Sequence, residues 1–183
     1  MCAAHLPKEA RPIIQISPHA KIVIAGQAPG AVANSSGIPF DDASGERLRQ
    51  WLGVSHQQFY DETLFAILPM AFCYPGKGTS GDKPPIKACA QKWRATLLEH
   101  LTNVELTIVI GQYAQDYHFN DKQTVTERVR DWRNNSESLI ALPHPSPRNN
   151  IWLKRHAWFE LELLPEVKQR VARILASHNG IAR

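Results

Sequence analysis

Lys21-Ile22-Val23-Ile24-Ala25-Gly26-Gln27-Ala28-Pro29-Gly30 is a β-branched, apolar run that ends in a loop of small residues. A run that is apolar at every position is buried on both faces, as a strand inside a parallel sheet is. Three more runs share the pattern: Phe65 to Phe72, broken by Pro69; Leu106 to Ile110, stopped by Gly111; and Ser138 to Leu142, stopped by Pro143. A second polar loop, His144-Pro145-Ser146-Pro147-Arg148-Asn149, follows the last of these. If the strands are parallel, both loops open at one sheet edge, where α/β proteins place their ligand crevices.

Helical patterns fill the intervals. Ser55 with Gln58, and Thr124 with Glu127, have capping-box spacing. A short helix is expected over Arg47 to Leu52 and another over Gln112 to Tyr117. Ile86 to Leu101 sets Ile86, Ala90, Trp93, Leu97, Leu98 and Leu101 on one stripe with Lys and Arg opposite. A last helix is expected from Trp158 to Leu175, interrupted near Pro165, with Leu161, Leu164, Val167, Val171 and Leu175 buried. Trp93, Trp132 and Phe159 read as core residues. Ala31 to Gly45 and Tyr74 to Pro85 read as long loops, which inside compact domains usually carry function. The alternation predicts an open parallel sheet covered by helices on both sides.

The chain has 183 residues, 43% of them hydrophobic. That suits one core, and residues 1–183 are expected to form a single domain. A net charge of +4 permits a polyanionic partner without requiring one. No stretch approaches the roughly 18 apolar residues of a membrane span, and the first residues lack a signal-peptide layout, so a cytoplasmic, membrane-free protein is expected, and a monomer because one compact domain needs no partner for its core. Three widely spaced cysteines, Cys2, Cys73 and Cys89, argue against a disulfide framework and leave reduced thiols or metal ligands.

In the first loop, two glycines and a proline around Gln27 and Ala28 let a ligand approach backbone N–H groups. In the second, two prolines stiffen the chain around Ser146 and hold His144 at a strand end. From there an imidazole can donate a hydrogen bond to charge developing on a ligand.

Gly26 to Gly30, with Gly37-Ile38-Pro39-Phe40 downstream and His144 to Ser146 after the last strand, resemble the two signature motifs of the uracil-DNA glycosylase superfamily. The closest likeness is to the branch whose first motif reads GEAPG, while the HPSPRN run also looks like the single-strand-selective branch. The resemblance runs from about Lys21 to Trp158. It implies a three-layer α/β/α sandwich with a four-stranded parallel sheet and a base pocket at the strand ends. It also implies roles: Gln27 and His144 catalytic; Gly26, Ala28, Pro29, Gly30 and Phe40 around the substrate base; Ser146, Pro147, Arg148 and Asn149 on DNA. Phe40 would stack on the flipped base, and Arg148, Ile151 or Trp152 would fill the vacated stack. Lys77 and Lys83 would border the crevice and meet phosphate.

Three positions depart from the resembled pattern. Gln27 and Ala28 stand where several branches carry a water-positioning acid, and an amide cannot take a proton. Asp41 and Asp42 are nearby substitutes, or simply caps for the next helix. Pro69 stands where an asparagine would read uracil. Cys73 and Cys89 match the second cysteine pair of a four-iron, four-sulfur cluster, while only Cys2 stands near the place of the first. The expected function is a monofunctional DNA base-excision repair glycosylase, a hydrolase of N-glycosyl bonds acting on uracil or another deaminated base. The chemistry itself would require no cofactor. The alternatives are a non-catalytic protein of the same fold that binds damaged DNA or nucleobases, and a small-molecule enzyme acting on nucleosides or nucleotides in the same crevice.

Overall fold

The computed structural model describes residues 6, 7, 10–119 and 121–179, leaving Cys2 outside the described residues. In chain order the elements are β1 (Ile22–Ala25), α1 (Ala31–Ser36), α2 (Ala43–Leu52), α3 (His56–Phe59), β2 (Phe65–Ile67) and a hairpin of β3 (Lys77–Gly78) and β4 (Gly81–Asp82). Then come α4 (Lys87–Cys89), a π-helical turn (Ala90–Arg94), α5 (Ala95–Glu99), β5 (Leu106–Ile110), α6 (Gln112–Phe119) and α7 (Val125–Arg130). The chain closes with β6 (Leu139–Leu142), a 3-10 turn (Pro147–Asn149), α8 (Asn150–Arg155), a second π turn (Phe159–Leu163) and α9 (Leu164–Asn179).

The four apolar runs form one parallel sheet in the order β2-β1-β5-β6, with Ile22 opposite both Phe65 and Leu106, and Thr107 opposite Leu139. Side chains alternate across the strands. Ile22, Ile24, Phe65, Ile67, Leu106 and Ile108 face a core closed by α2, α3, α7 and α9 through Leu48, Trp51, Phe59, Val129, Val167 and Val171. Val23, Ala25, Ala66 and Val109 face the opposite core, under Cys89, Ala90, Leu101 and Ala114 of the α4–α6 side. Helices therefore cover both faces, giving the expected α/β/α sandwich. Both capping boxes are formed, Ser55 with Gln58 and Thr124 with Glu127.

Several local expectations are corrected. Ala31 to Gly45 is not one loop. It holds the whole of α1, stopped by Gly37 in the left-handed region (φ 82°), and the first turn of α2, which starts at Ala43 because Asp42 caps Gly45 N–H at 2.9 Å. Tyr74 to Pro85 folds into the β3–β4 hairpin. The strand at Phe65 stops at Ile67, since Pro69 cannot extend the ladder; Met70 and Ala71 instead donate backbone N–H to the carbonyls of Gly26 and Gln27 (2.8 and 3.1 Å).

Two π turns reset the helical phase by adding one residue to a turn. In the first, Trp93 swings out to 47% exposure and Arg94 becomes fully buried, the reverse of the stripe expected for Ile86 to Leu101. In the second, Leu161 is turned out to 75% exposure while Phe159, Leu163 and Leu164 are buried. Phe159 is thus a core residue as read from sequence, Trp132 is half-buried against the core, and Trp93 is not core.

Candidate active site

The loops after β1 and β6 open into one cavity of about 660 Å³, lined among others by Gly26, Gln27, Ala28, Pro29, Gly30, Phe40, His144, Ser146, Pro147, Arg148 and Asn149. It lies at the C-terminal ends of the sheet strands, where open α/β sheets bind ligands, and its volume is of the size that holds a small molecule. The residues of the two motifs given catalytic, base-binding or DNA-binding roles from sequence line it, whereas Lys77, Lys83, Ile151 and Trp152 are not among its lining residues.

His144 is held from three directions. Its ring Nδ1 accepts the Ser146 backbone N–H at 3.1 Å, its carbonyl accepts the Asn149 side-chain amide at 2.7 Å, and Gly111, left-handed at φ 77° where β5 ends, lies alongside it, so that a Cβ there would stand 4.0 Å from the His144 Cβ. With Nδ1 accepting, the neutral ring carries its proton on Nε2, a donor left for a ligand. Burial lowers the His144 pKa, with Arg148 adding to the effect and the charges of Asp42 and Asp82 opposing it. The imidazole is therefore neutral at pH 7. Ser146 braces the loop: its hydroxyl accepts the Arg148 N–H at 3.3 Å and its carbonyl accepts Arg47 at 3.2 Å.

Phe40 reaches the cavity through an unusual backbone. Its φ is 55°, a left-handed conformation that costs a non-glycine residue about 1–3 kcal/mol and tends to occur at functional sites. The strain is held by its own carbonyl, which receives the Tyr60 hydroxyl at 3.2 Å and Arg49 at 3.5 Å. Gly45 packs so close to that carbonyl that any Cβ would overlap it. The ring comes within 3.5 Å of where a Cβ of Gly26 would stand, so the aromatic platform and the first loop are neighbours.

The polar inventory is wider than the motifs. Gln27 spends its amide nitrogen on the Lys83 carbonyl (3.4 Å), tying the hairpin to the first loop and leaving its amide oxygen as an acceptor. Pro69 lines the cavity and offers no amide side chain. Asp42 caps α2, as one of its two readings had it, and also lines the cavity; Asp41 is exposed and is not among the lining residues. Asp82 was missed from sequence. It lines the cavity from β4, with one oxygen receiving the Tyr74 hydroxyl at 3.3 Å and the other 3.6 Å from where a Cβ of Gly30 would stand. Only the folding of the hairpin brings it there, and no local pattern announces it. Gly81, at φ 126°, lies against the Arg148 guanidinium. Lys77 and Lys83 are exposed on the same hairpin.

Beyond the second loop, Ile151 is 65% exposed, whereas Trp152 is half-buried, donates to Thr126 Oγ1 at 2.8 Å and stacks on His156. Cys73 follows the β2 segment and Cys89 is buried in α4; among the described residues no group of three or more His, Cys, Asp or Glu side chains gathers to hold a metal. Two thiols fall short of a four-iron cluster's ligand set, and Cys2 lies outside the described residues.

The family model of the Uracil DNA glycosylase superfamily matches residues 13–168, from before β1 to within α9. The match spans both loops and all four strands of the main sheet, and the cavity lies between the same two loops. The chain belongs to the Uracil DNA glycosylase superfamily.

Proposed function

We propose that the protein is a base-excision glycosylase that hydrolyses the N-glycosidic bond of uracil or another deaminated base flipped out of DNA. The observation that carries this reading is His144: a half-buried, neutral imidazole, its tautomer set by Ser146, in a cavity shared with Phe40. Breaking the C1′–N bond sends the electron pair to the base and leaves a cationic sugar. Nε2–H of His144 hydrogen-bonds the oxygen where the negative charge collects, a preorganised donor of the oxyanion type. Phe40 supplies the stacking platform that a flipped base needs.

On the sugar side, Asp42 supplies the carboxylate that the first loop lacks, and the Gln27 amide oxygen orients the attacking water. That water bonds to C1′, and its proton passes to the carboxylate. Arg148, Lys77 and Lys83 meet phosphates, and Ile151, the exposed apolar side chain beside the second loop, fills the vacated stack.

The test is incubation with single- and double-stranded oligonucleotides carrying uracil, hypoxanthine, xanthine or mismatched thymine, followed by alkaline cleavage at abasic sites. Release that disappears in His144→Ala supports the reading. DNA retention with steep salt dependence and no release would replace it with the binding module. Hydrolysis of free nucleosides without DNA affinity would replace it with a small-molecule enzyme.

A further inference from the structure

Two of the five buried polar side chains among the described residues lie side by side: Gln115 of α6 is fully buried and Arg128 of α7 is 1% exposed. Their bonds form one chain. Asp121 accepts Arg128 Nε at 3.1 Å, Arg128 Nη1 donates to Gln115 Oε1 at 3.2 Å, and Gln115 Nε2 donates to the Leu142 carbonyl at 2.8 Å. Leu142 is the last residue of β6, and its carbonyl also receives the Gly111 N–H at 3.1 Å. Only Pro143, whose φ is locked by its ring, separates it from His144. The amide of Gln115 is oriented by Arg128, which has donors only, so the nitrogen must face Leu142.

We propose that Gln115, oriented by the Arg128–Asp121 pair, is a positioning residue for His144. It sets the direction of the Leu142 carbonyl, and through the rigid proline the place of the imidazole in the cavity. The catalytic part of this inference rests on the glycosylase reading, whereas the positioning part does not.

Gln115→Glu separates positioning from packing. The substitution keeps an acceptor for Arg128 and adds a charge complementary to it, but replaces the donor at Leu142 with an oxygen facing an oxygen. The expected result is a folded protein in which the His144 ring 15N shifts and the Ser146 amide resonance both move from their wild-type positions. Single-turnover base release should fall about ten- to hundredfold, as displacement of a reacting group by about an ångström does, with DNA affinity unchanged. Val129→Ala, which opens a cavity beside Arg128 in α7 without removing a hydrogen-bonding group, is the comparison. If Val129→Ala moves the His144 signals as far, or if Gln115→Glu leaves them in place, the proposal is overturned. If the wild type releases no base, the glycosylase reading fails, and the resonances still decide the positioning role.

Discussion

Lowering the pH is expected to destabilise this protein through one identified histidine, His118. Arg94, fully buried by the first π turn, donates to the carbonyls of Leu68 and Pro69 (2.7 and 3.2 Å) and brings its second terminal nitrogen within 2.9 Å of His118 Nε2. A guanidinium has no acceptor, so Nε2 must accept and the ring must be neutral. Burial first, and the Arg94 charge second, lower the His118 pKa from 6.5 to about 4. Because the folded value lies below the unfolded one, the unfolded chain binds the extra proton. The stabilisation is complete above pH 6.5 and is lost as pH falls toward 4. At about 1.4 kcal/mol per unit, the full loss is about 3 kcal/mol. His118→Gln offers an acceptor that does not titrate. Urea unfolding of both proteins from pH 7.5 to 4 should show the wild type losing stability more steeply, by up to about 1.4 kcal/mol per pH unit within that window. Parallel profiles would refute the assignment. The consequence reaches the site, since Arg94 holds the Leu68-Pro69 segment that forms part of the cavity wall.

Asp42→Asn should keep the helix cap, because its amide oxygen still accepts Gly45 N–H, while base release falls by at least tenfold; denaturation curves would show stability nearly unchanged. Gly45→Ala should cost at least about 3 kcal/mol in a denaturation measurement, the upper end of overpacking costs or beyond, because the added Cβ overlaps a Phe40 carbonyl already held by Tyr60 and Arg49. Arg148→Ala should weaken DNA binding across all sequences and reduce the slope of log affinity against log salt by about one, measured by fluorescence anisotropy; an unchanged slope would remove Arg148 from the phosphate contacts.

What could be read before folding was what near neighbours decide. The four apolar runs became the four strands of the main sheet, both capping boxes formed, and the small-residue and proline-rich loops began where β1 and β6 ended. His144 and Phe40 were legible as well, because the rigid loop and the G-x-PF spacing lie within a few residues of each. Helical stripes were less legible. One extra residue in a π turn reversed Trp93 and Arg94 and exposed Leu161, and such a turn is set by packing against the sheet rather than by spacing along the chain.

The sequence by itself determined the alternation of strands and helices, and with it the sheet edge at which the two loops open, because periodicity and turn chemistry are local. Only the tertiary structure decided that Gly111 would back His144, that the hairpin would carry Asp82 into the cavity, and that Gln115 and Arg128 would be buried under the end of β6. Each of those pairings joins residues from different elements. A buried polar group reveals its purpose only when its hydrogen-bond partner, distant along the chain, is in place beside it.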